Sequence, residues 1–261
     1  MTSILETIVA TKRQEIAEAM KQRTVDALED ALSDAPPVRD FLAALQRAPN
    51  VALIAEIKKA SPSRGIIRED FQPLEIAQVY ENNGATALSV LTDQEYFQGS
   101  LDILQQVRQS TQIPVLRKDF ILDRYQLLQA RVVGADAVLL IAECLDPESL
   151  SELMHDCLEL GMTPLIEVYE ASSLAQVLKL NPPLVGVNSR DLRSFKVDFD
   201  RLLEFRAQVP SEIPFVAESG IQSRADVVRL QEGGVDAILV GETFMAHHDI
   251  AAKVRELMGD A

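Results

Sequence analysis

The chain has 261 residues, 47% of them hydrophobic and 25% charged, enough for one large domain or two small ones with a full core. Its formal net charge of −15, with no basic block, argues against nucleic acid and anionic membranes as partners. No apolar run approaches the roughly 20 residues of a membrane span, and the mixed-charge, amphipathic N-terminus is unlike a signal peptide, so cytoplasm is the expected compartment. Cys144 and Cys157 have no C-x-x-C spacing and His155, His247 and His248 are scattered, so neither a disulfide framework nor a metal centre is expected.

Residues 1 to about 47 read as helix. Ile4, Leu5, Ile8 and Val9 recur at helical spacing, and Ile16 continues the stripe through a Lys/Arg/Glu-rich stretch. Pro36-Pro37 breaks the pattern, and Asp40 is placed to cap a short helix through Leu45. The expected organisation is a helical extension over 1–47, packed on a main domain over 48–261.

From Val51 onward, strands and helices alternate. Apolar, β-branched runs predict strands at 52–58, 86–91, 114–118, 136–141, 163–167, 184–188, 214–217 and 236–240. Helical patterns lie near 73–83, 100–109, 123–133, 148–160, 171–179, 200–208, 223–232 and 249–258. Eight such units close as a barrel or lie open as a doubly wound sheet. An internal repeat favours closure: Gly84-Ala-Thr-Ala, Gly134-Ala-Asp-Ala and Gly234-Val-Asp-Ala each put a glycine between a helix end and a strand start, 50 and then 100 residues apart, one and two double βα units. Neither a G-x-G-x-x-G after the first strand nor a G-x-x-x-x-G-K-[ST] occurs. The expected fold is α/β, a (βα)8 TIM barrel carrying an N-terminal helical extension.

In such a barrel, reactive side chains collect where strands end at the C-terminal mouth. The first strand ends in Glu56 and Lys58, two positions apart, followed by the turn-rich Ser61-Pro-Ser-Arg-Gly65. The third strand ends in Lys118, two residues before Phe120; the fifth carries Glu167; the sixth, Asn188 and Arg190; the seventh, Glu218, Ser219 and Gly220. One charge at a strand end is commonly a local ion pair, whereas two lysines, three glutamates and an asparagine on five strands form a constellation. Ser219-Gly220 after the seventh strand and Gly241-Glu242 after the eighth fit a phosphate held by backbone N–H groups, with Lys58 adding charge from across the mouth. Acids and bases at this density fit proton transfer on a phosphorylated metabolite, and a lysine among apolar neighbours also permits a Schiff base. The residues alone leave both open.

Taken together, Glu56-Ile-Lys-Lys-Ala-Ser-Pro-Ser-Arg-Gly65, Leu91-Thr92 with Tyr96-Phe-Gln-Gly-Ser100, Arg117-Lys-Asp-Phe120, Leu165-Ile-Glu167, Gly186-Val-Asn-Ser-Arg-Asp-Leu192, Ala217-Glu-Ser-Gly-Ile221 and Leu239-Val-Gly-Glu242 resemble the indole-3-glycerol phosphate synthase family. The resemblance covers nearly the whole chain, extension included. It implies ring closure of 1-(2-carboxyphenylamino)-1-deoxyribulose 5-phosphate to indole-3-glycerol phosphate, with loss of carbon dioxide and water and with no metal or organic cofactor. By that resemblance Lys118 is the acid that protonates the ketone oxygen, held charged by a neighbouring carboxylate such as Glu56. Lys58 and Glu167 match the acid and base of the dehydration, Glu56 and Glu218 orient the lysines, and Asn188 bonds the reacting hydroxyls. The matching substrate pocket uses Ser61, Phe97, Phe120, Leu139, Ile141, Arg190 and Leu192, and the phosphate lies on Lys58, Ser219, Gly220, Gly241 and Glu242. Leu139 and Ile141 suit ordinary barrel core as well as a ligand wall. Ala246 stands where many relatives carry arginine. The implied partner is a phosphorylated small molecule, and a monomer is expected. The rival readings are another phosphosugar barrel enzyme, such as a Schiff-base aldolase or an isomerase, and a non-catalytic protein that binds a phosphorylated metabolite.

Overall fold

Along each strand the side chains divide by parity, and the division decides which layer each residue serves. In β1 (Ala52–Ile57), Ala52 and Ile54 join a cluster inside the barrel, while Leu53, Ala55 and Ile57 join the layer under the helices. The same split runs through β4 (Ala87–Leu91), β5 (Val115–Lys118), β6 (Ala137–Ile141), β7 (Thr163–Val168), β8 (Val185–Asn188), β9 (Phe215–Glu218) and β10 (Ala237–Val240). The computed structural model describes residues 4–189 and 197–259, and in it these eight strands form a closed parallel barrel. Closure is made where β1 pairs with β10, Ala52 opposite Ala237, and with β4, Ile54 opposite Ala87. Both faces of every strand are covered, which is why they read as unbroken apolar runs. The barrel fold is therefore as expected, with strand limits within a residue or two of those predicted.

The glycine repeat has a structural basis. Gly84, Gly134 and Gly234 take φ of +89°, +90° and +80°, the left-handed turn that ends a helix most easily with glycine. Two residues on, the repeat's polar side chain accepts an N–H from the first or second residue of the preceding strand: Thr86 Oγ1 from Leu53, Asp136 Oδ2 from Val115 and Asp236 Oδ2 from Phe215, at 3.3, 2.8 and 2.8 Å. The same residues donate their own N–H back to the carbonyls of Leu53, Val115 and Phe215. Each repeat thus pins two adjacent strands at the N-terminal end of the barrel.

Helices α4 (Pro73–Asn82), α5 (Leu101–Ser110), α6 (Arg124–Val132), α7 (Pro147–Glu159), α8 (Ala171–Val177), α9 (Phe199–Arg206), α10 (Arg224–Glu232) and α12 (Ile250–Met258) form the outer ring, with a short α11 (Glu242–Met245) after β10. Their starts are set by side-chain caps from Ser100, Asp123, Asp146, Asp198, Ser223 and Asp249; Ser223 and Asp226 make a reciprocal capping box. One feature departs from the expected pattern. Within the turn-rich segment after β1, β2 (Ala60–Ser61) and β3 (Gly65–Ile66) pair as a hairpin, too short to be visible as periodicity.

The extension touches both ends of the barrel. Helix α3 (Phe41–Gln46), capped by Asp40, drives fully buried Phe41 and Leu45 into the inner cluster beside Ala52, Ile54, Ala87 and Ala237. Burying each such side chain contributes about 1.5–3 kcal/mol. Ahead of it, the N–H of Arg39 bonds Asp136 Oδ1 at 2.7 Å. Helices α1 (Ile4–Gln22) and α2 (Val25–Ala31) pack through Ile16 and Leu28 onto Tyr125 and Leu128 of α6. From there α1 reaches the opposite rim, where its Lys12 meets residues just past the ends of β4 and β5. Among the described residues no helix is long and apolar enough to cross a membrane.

Candidate active site

The parity that puts Ala52 and Ile54 inside the barrel also turns Glu56 inward, one layer nearer the mouth. Register carries this layer around the ring: Glu56 lies opposite Ser89, Leu91 opposite Lys118, Ile141 opposite Glu167, and Asn188 opposite Glu218. The lower layers are apolar and the upper layer is charged. The structure thus brings Glu56, Lys118, Glu167, Asn188 and Glu218 to one end of the barrel, with Lys58 just beyond the last residue of β1.

Lys118 Nζ donates to Glu218 Oε2 at 2.5 Å and to Glu167 Oε2 at 3.2 Å. Lys58 Nζ lies 2.6 Å from Glu56 Oε1. Of the carboxylates expected near the lysines, Glu218 and Glu167 make the direct contacts on Lys118, from β9 and β7, while Glu56 contacts Lys58 and acts on Lys118 through space. Burial alone would lower the Lys118 ammonium, but Glu218, Glu167 and Glu56 outweigh it and hold it above the ordinary lysine range. Burial would likewise raise Glu56, yet Lys58 and Lys118 keep its carboxyl below its usual range. Glu218 goes the other way. Only 1% exposed, its carboxyl is pushed up by burial to about 8; Lys118 opposes the shift and Glu167 reinforces it. Its Oε1 is buried with no hydrogen-bond partner among the described residues. Two glycines make room for these carboxylates: a Cβ on Gly186 would collide with Glu218, and one on Gly241 with Glu56.

The aromatic residues expected to line the pocket also meet. Phe97 and Phe120 have ring centroids 6.2 Å apart, tilted by 40°. Phe120 packs on the inner cluster that contains Leu139 and Ile141, so these two residues belong to the barrel core beneath the aromatic pair. Ser61 sits in the hairpin after β1, its Oγ 3.5 Å from that of Ser63. Arg190 and Leu192 lie outside the described residues.

At the opposite side of the mouth Ser219 and Gly220 take φ of +69° and +73°, a consecutive left-handed pair. Ser189 Oγ donates to the Ser219 carbonyl at 2.8 Å, and Thr243 Oγ1 to the Ile221 carbonyl at 2.6 Å, so the loops after β9 and β10 are tied together. Gly241 opens α11, whose first N–H groups have no acceptor within the helix. The Glu242 carboxylate turns to Arg64 of the hairpin loop, 2.7 Å away.

Several residues around the site were given no role from the sequence. Tyr80, fully buried, donates from its hydroxyl to the Glu56 carbonyl at 3.2 Å and packs on Phe244 of α11. Arg117 and Asp119 flank Lys118 on the opposite strand face, 3.0 Å apart. Their signal was present: three charged residues in a row at the end of a buried strand must send two of them into the helix layer. Thr92 falls in the Leu91-Thr92 stretch that carries part of the family resemblance, whereas Lys12 and Asp93 had no such signal. Among the described residues no cluster of three or more His, Cys, Asp or Glu is arranged to hold a metal ion.

Comparison with known proteins joins this geometry to a family. The family model for indole-3-glycerol phosphate synthase matches residues 5–257. The indole-3-glycerol phosphate synthase of Rhodopirellula baltica is 51% identical over 256 residues, covering 98% of this chain and 99% of its own. That of Neisseria meningitidis serogroup B is 48% identical, covering 98% and 100%. Among solved structures, a 3-hexulose-6-phosphate synthase superposes with a TM-score of 0.62 at 16% identity, covering 79% of this chain and 98% of its own. The tryptophan synthase complex of Pyrococcus furiosus gives 0.61 at 16% identity, covering 80% and 98%. At such identities the likeness speaks for the barrel alone.

Proposed function

The chain belongs to the indole-3-glycerol phosphate synthase family, and we propose that it converts 1-(2-carboxyphenylamino)-1-deoxyribulose 5-phosphate to indole-3-glycerol phosphate, carbon dioxide and water by general acid–base catalysis. The observation that carries this mechanism is the Lys118 ammonium, held between Glu218 and Glu167 on the inner face of the barrel mouth.

The substrate's aryl ring lies against Phe97 and Phe120 over Leu139 and Ile141. Its phosphate rests on the amides of Ser219, Gly220, Gly241 and Glu242, with Lys58 adding charge. In the first step Lys118 gives a proton to the ketone oxygen as the aromatic carbon attacks the carbonyl carbon. An ammonium already fixed between Glu218 and Glu167 needs no reorganisation when charge develops on that oxygen. The Glu218 carboxyl, 2.5 Å from Nζ, can return the proton that the lysine loses. Loss of carbon dioxide then restores the aromatic ring. Dehydration follows: Lys58, oriented by Glu56, protonates the leaving hydroxyl, and Glu167 takes the proton released as the indole forms. Asn188 bonds the reacting hydroxyls. Ser61, Arg190 and Leu192 complete the pocket in this reading.

The test is the appearance of indole absorbance on adding substrate to wild type and to Lys118→Ala. The chain contains no tryptophan, so the protein background is low. Product from wild type alone supports Lys118 as the acid; product from both moves that role to another group. Borohydride added with substrate separates the Schiff-base alternative, because ring closure by this route leaves nothing to trap. The proposal extends to a cytoplasmic, monomeric protein with no cofactor, checked by cell fractionation, light scattering and activity after exhaustive chelation.

A further inference from the structure

The buried stripe of α1 runs Ile8, Lys12, Ile16, so a lysine stands where helix packing alone would call for an apolar side chain. Lys12 is 4% exposed, and its ammonium lies 2.8 Å from Asp93 Oδ2, 3.0 Å from Asp119 Oδ1 and 2.6 Å from Glu15 Oε2. Asp93 and Asp119 are themselves buried and stand just past the ends of neighbouring strands, β4 and β5. Taking one partner out of such a buried cluster strands the charges that remain.

Those partners frame the two aromatic residues of the pocket. Asp93 accepts the N–H of Tyr96 at 2.8 Å on its side chain and that of Gly99 at 2.8 Å on its carbonyl, which closes the turn presenting Phe97. Asp119 accepts the N–H of Phe120 at 2.8 Å through the oxygen that meets Lys12. Its other oxygen receives Thr92 Oγ1 at 2.6 Å and Arg117 at 3.0 Å. A second tether runs parallel to the first: Thr11 Oγ1 and the Tyr96 hydroxyl are 2.8 Å apart.

We propose that Lys12 is a positioning residue which, through Asp93 and Asp119, sets the spacing of Phe97 and Phe120 and so the grip of the site on the substrate's aryl ring. This rests on the reading of Phe97 and Phe120 as the aryl wall. Without the ammonium, two buried carboxylates face each other across neighbouring strand ends, and Asp119 alone retains a cation, Arg117. The Asp93 turn then moves away and the wall opens. Lys118 keeps Glu218 and Glu167, neither of which touches Lys12, so the chemical step is spared. The effect is on binding.

The experiment compares wild type, Lys12→Met and Lys12→Arg in steady-state kinetics, with thermal unfolding of each protein. Lys12→Met keeps the volume and the apolar stripe while removing the charge. It is expected to raise KM about ten-fold with kcat within about three-fold, the pattern of lost ground-state and transition-state binding together. Lys12→Arg, which restores the cation, should recover most of the KM. Anthranilate, followed by its own fluorescence, should bind Lys12→Met more weakly by a similar factor, while protection of the protein by inorganic phosphate is unchanged. If Lys12→Met fails to fold, Lys12→Met/Asp93→Asn removes the stranded charge, and Tyr96→Phe cuts the second tether alone; each should raise KM in the same direction. An unchanged KM in folded Lys12→Met, or a fall in kcat at constant KM, overturns the proposal. Turnover by wild type with no KM change in Phe97→Ala and Phe120→Ala instead removes the aryl-wall reading beneath it.

Discussion

Glu56 Oε1 occupies the space in which residue 241 would carry a side chain, and only glycine at 241 leaves it there. The same oxygen holds Lys58, so the end of β1 and the start of α11 are fitted to each other through a buried carboxylate. Gly241→Ala should push Glu56 off Lys58. Overpacking of this kind costs about 1–3 kcal/mol, so a lowered melting temperature is expected together with a loss of at least about ten-fold in kcat/KM. Differential scanning calorimetry and initial rates check both. A variant with wild-type kcat/KM would mean that the Glu56 position does not matter to turnover.

Glu218 should be visible on the pH axis. Its carboxyl is raised by burial from the ordinary 4.5 to about 8, so between these values the folded protein holds a proton that the unfolded chain has released. Its contribution to stability is therefore complete below 4.5 and is lost as pH rises through about 8. Glu56, held low by Lys58 and Lys118, works in the opposite sense: its share is present above 4.5 and is lost as pH falls through its depressed value. Urea midpoints taken from pH 6 to 9 should fall more steeply for wild type than for Glu218→Gln. The alkaline limb of kcat should also move or vanish in that variant, because an ionised Glu218 binds the Lys118 proton harder. Parallel curves for the two proteins would remove Glu218 from the proton inventory.

How much of this was legible in the sequence depends on the range of each interaction. Glu56, Lys118, Glu167 and Glu218 were visible because each interrupts an apolar run at its C-terminal end, a local irregularity with one physical meaning inside a barrel. Which carboxylate serves which lysine was not visible: the partners of Lys118 are 49 and 100 residues away, and pairing follows from the circular order of strands. Lys12 was hidden for another reason. In a Lys/Arg/Glu-rich helix, periodicity assigns a charged residue to solvent, and nothing near it in sequence announces the acids that receive it. The glycine repeat showed its period but not its purpose, since the polar residue at its third position acts across strands.

That third position predicts a clean separation of stability from activity. The Asp136 carboxylate accepts the N–H groups of Val115 and Arg39 and pairs with Arg108, whereas the Asp236 carboxylate accepts, among the described residues, the N–H of Phe215 alone. Leaving buried donors unpaired costs about 1–3 kcal/mol each. Asp136→Ala should therefore lose more stability in urea unfolding than Asp236→Ala. Both sit at the end of the barrel away from the mouth, so KM should remain within about two-fold of wild type. An activity loss larger than the population unfolded would contradict this placement.

Arg64 and Glu242 supply the last test. A carboxylate beside the backbone amides proposed to hold the phosphate repels that ligand unless a cation accompanies it, and Arg64 stands 2.7 Å from Glu242. Arg64 is 63% exposed, so the pair adds little to folding; exposed pairs are worth about 0–1 kcal/mol. Its expected effect is on the substrate's anionic end, in a protein whose net charge of −15 already opposes anions. Arg64→Ala should leave the melting temperature within about 2 °C of wild type and raise KM by roughly three- to ten-fold, more at low ionic strength than at high. Adding Glu242→Gln to Arg64→Ala should recover much of that loss, since the charge needing compensation is gone. If the double variant binds as poorly as Arg64→Ala, the guanidinium acts on the phosphate directly, and Glu242 merely holds it in place before substrate arrives.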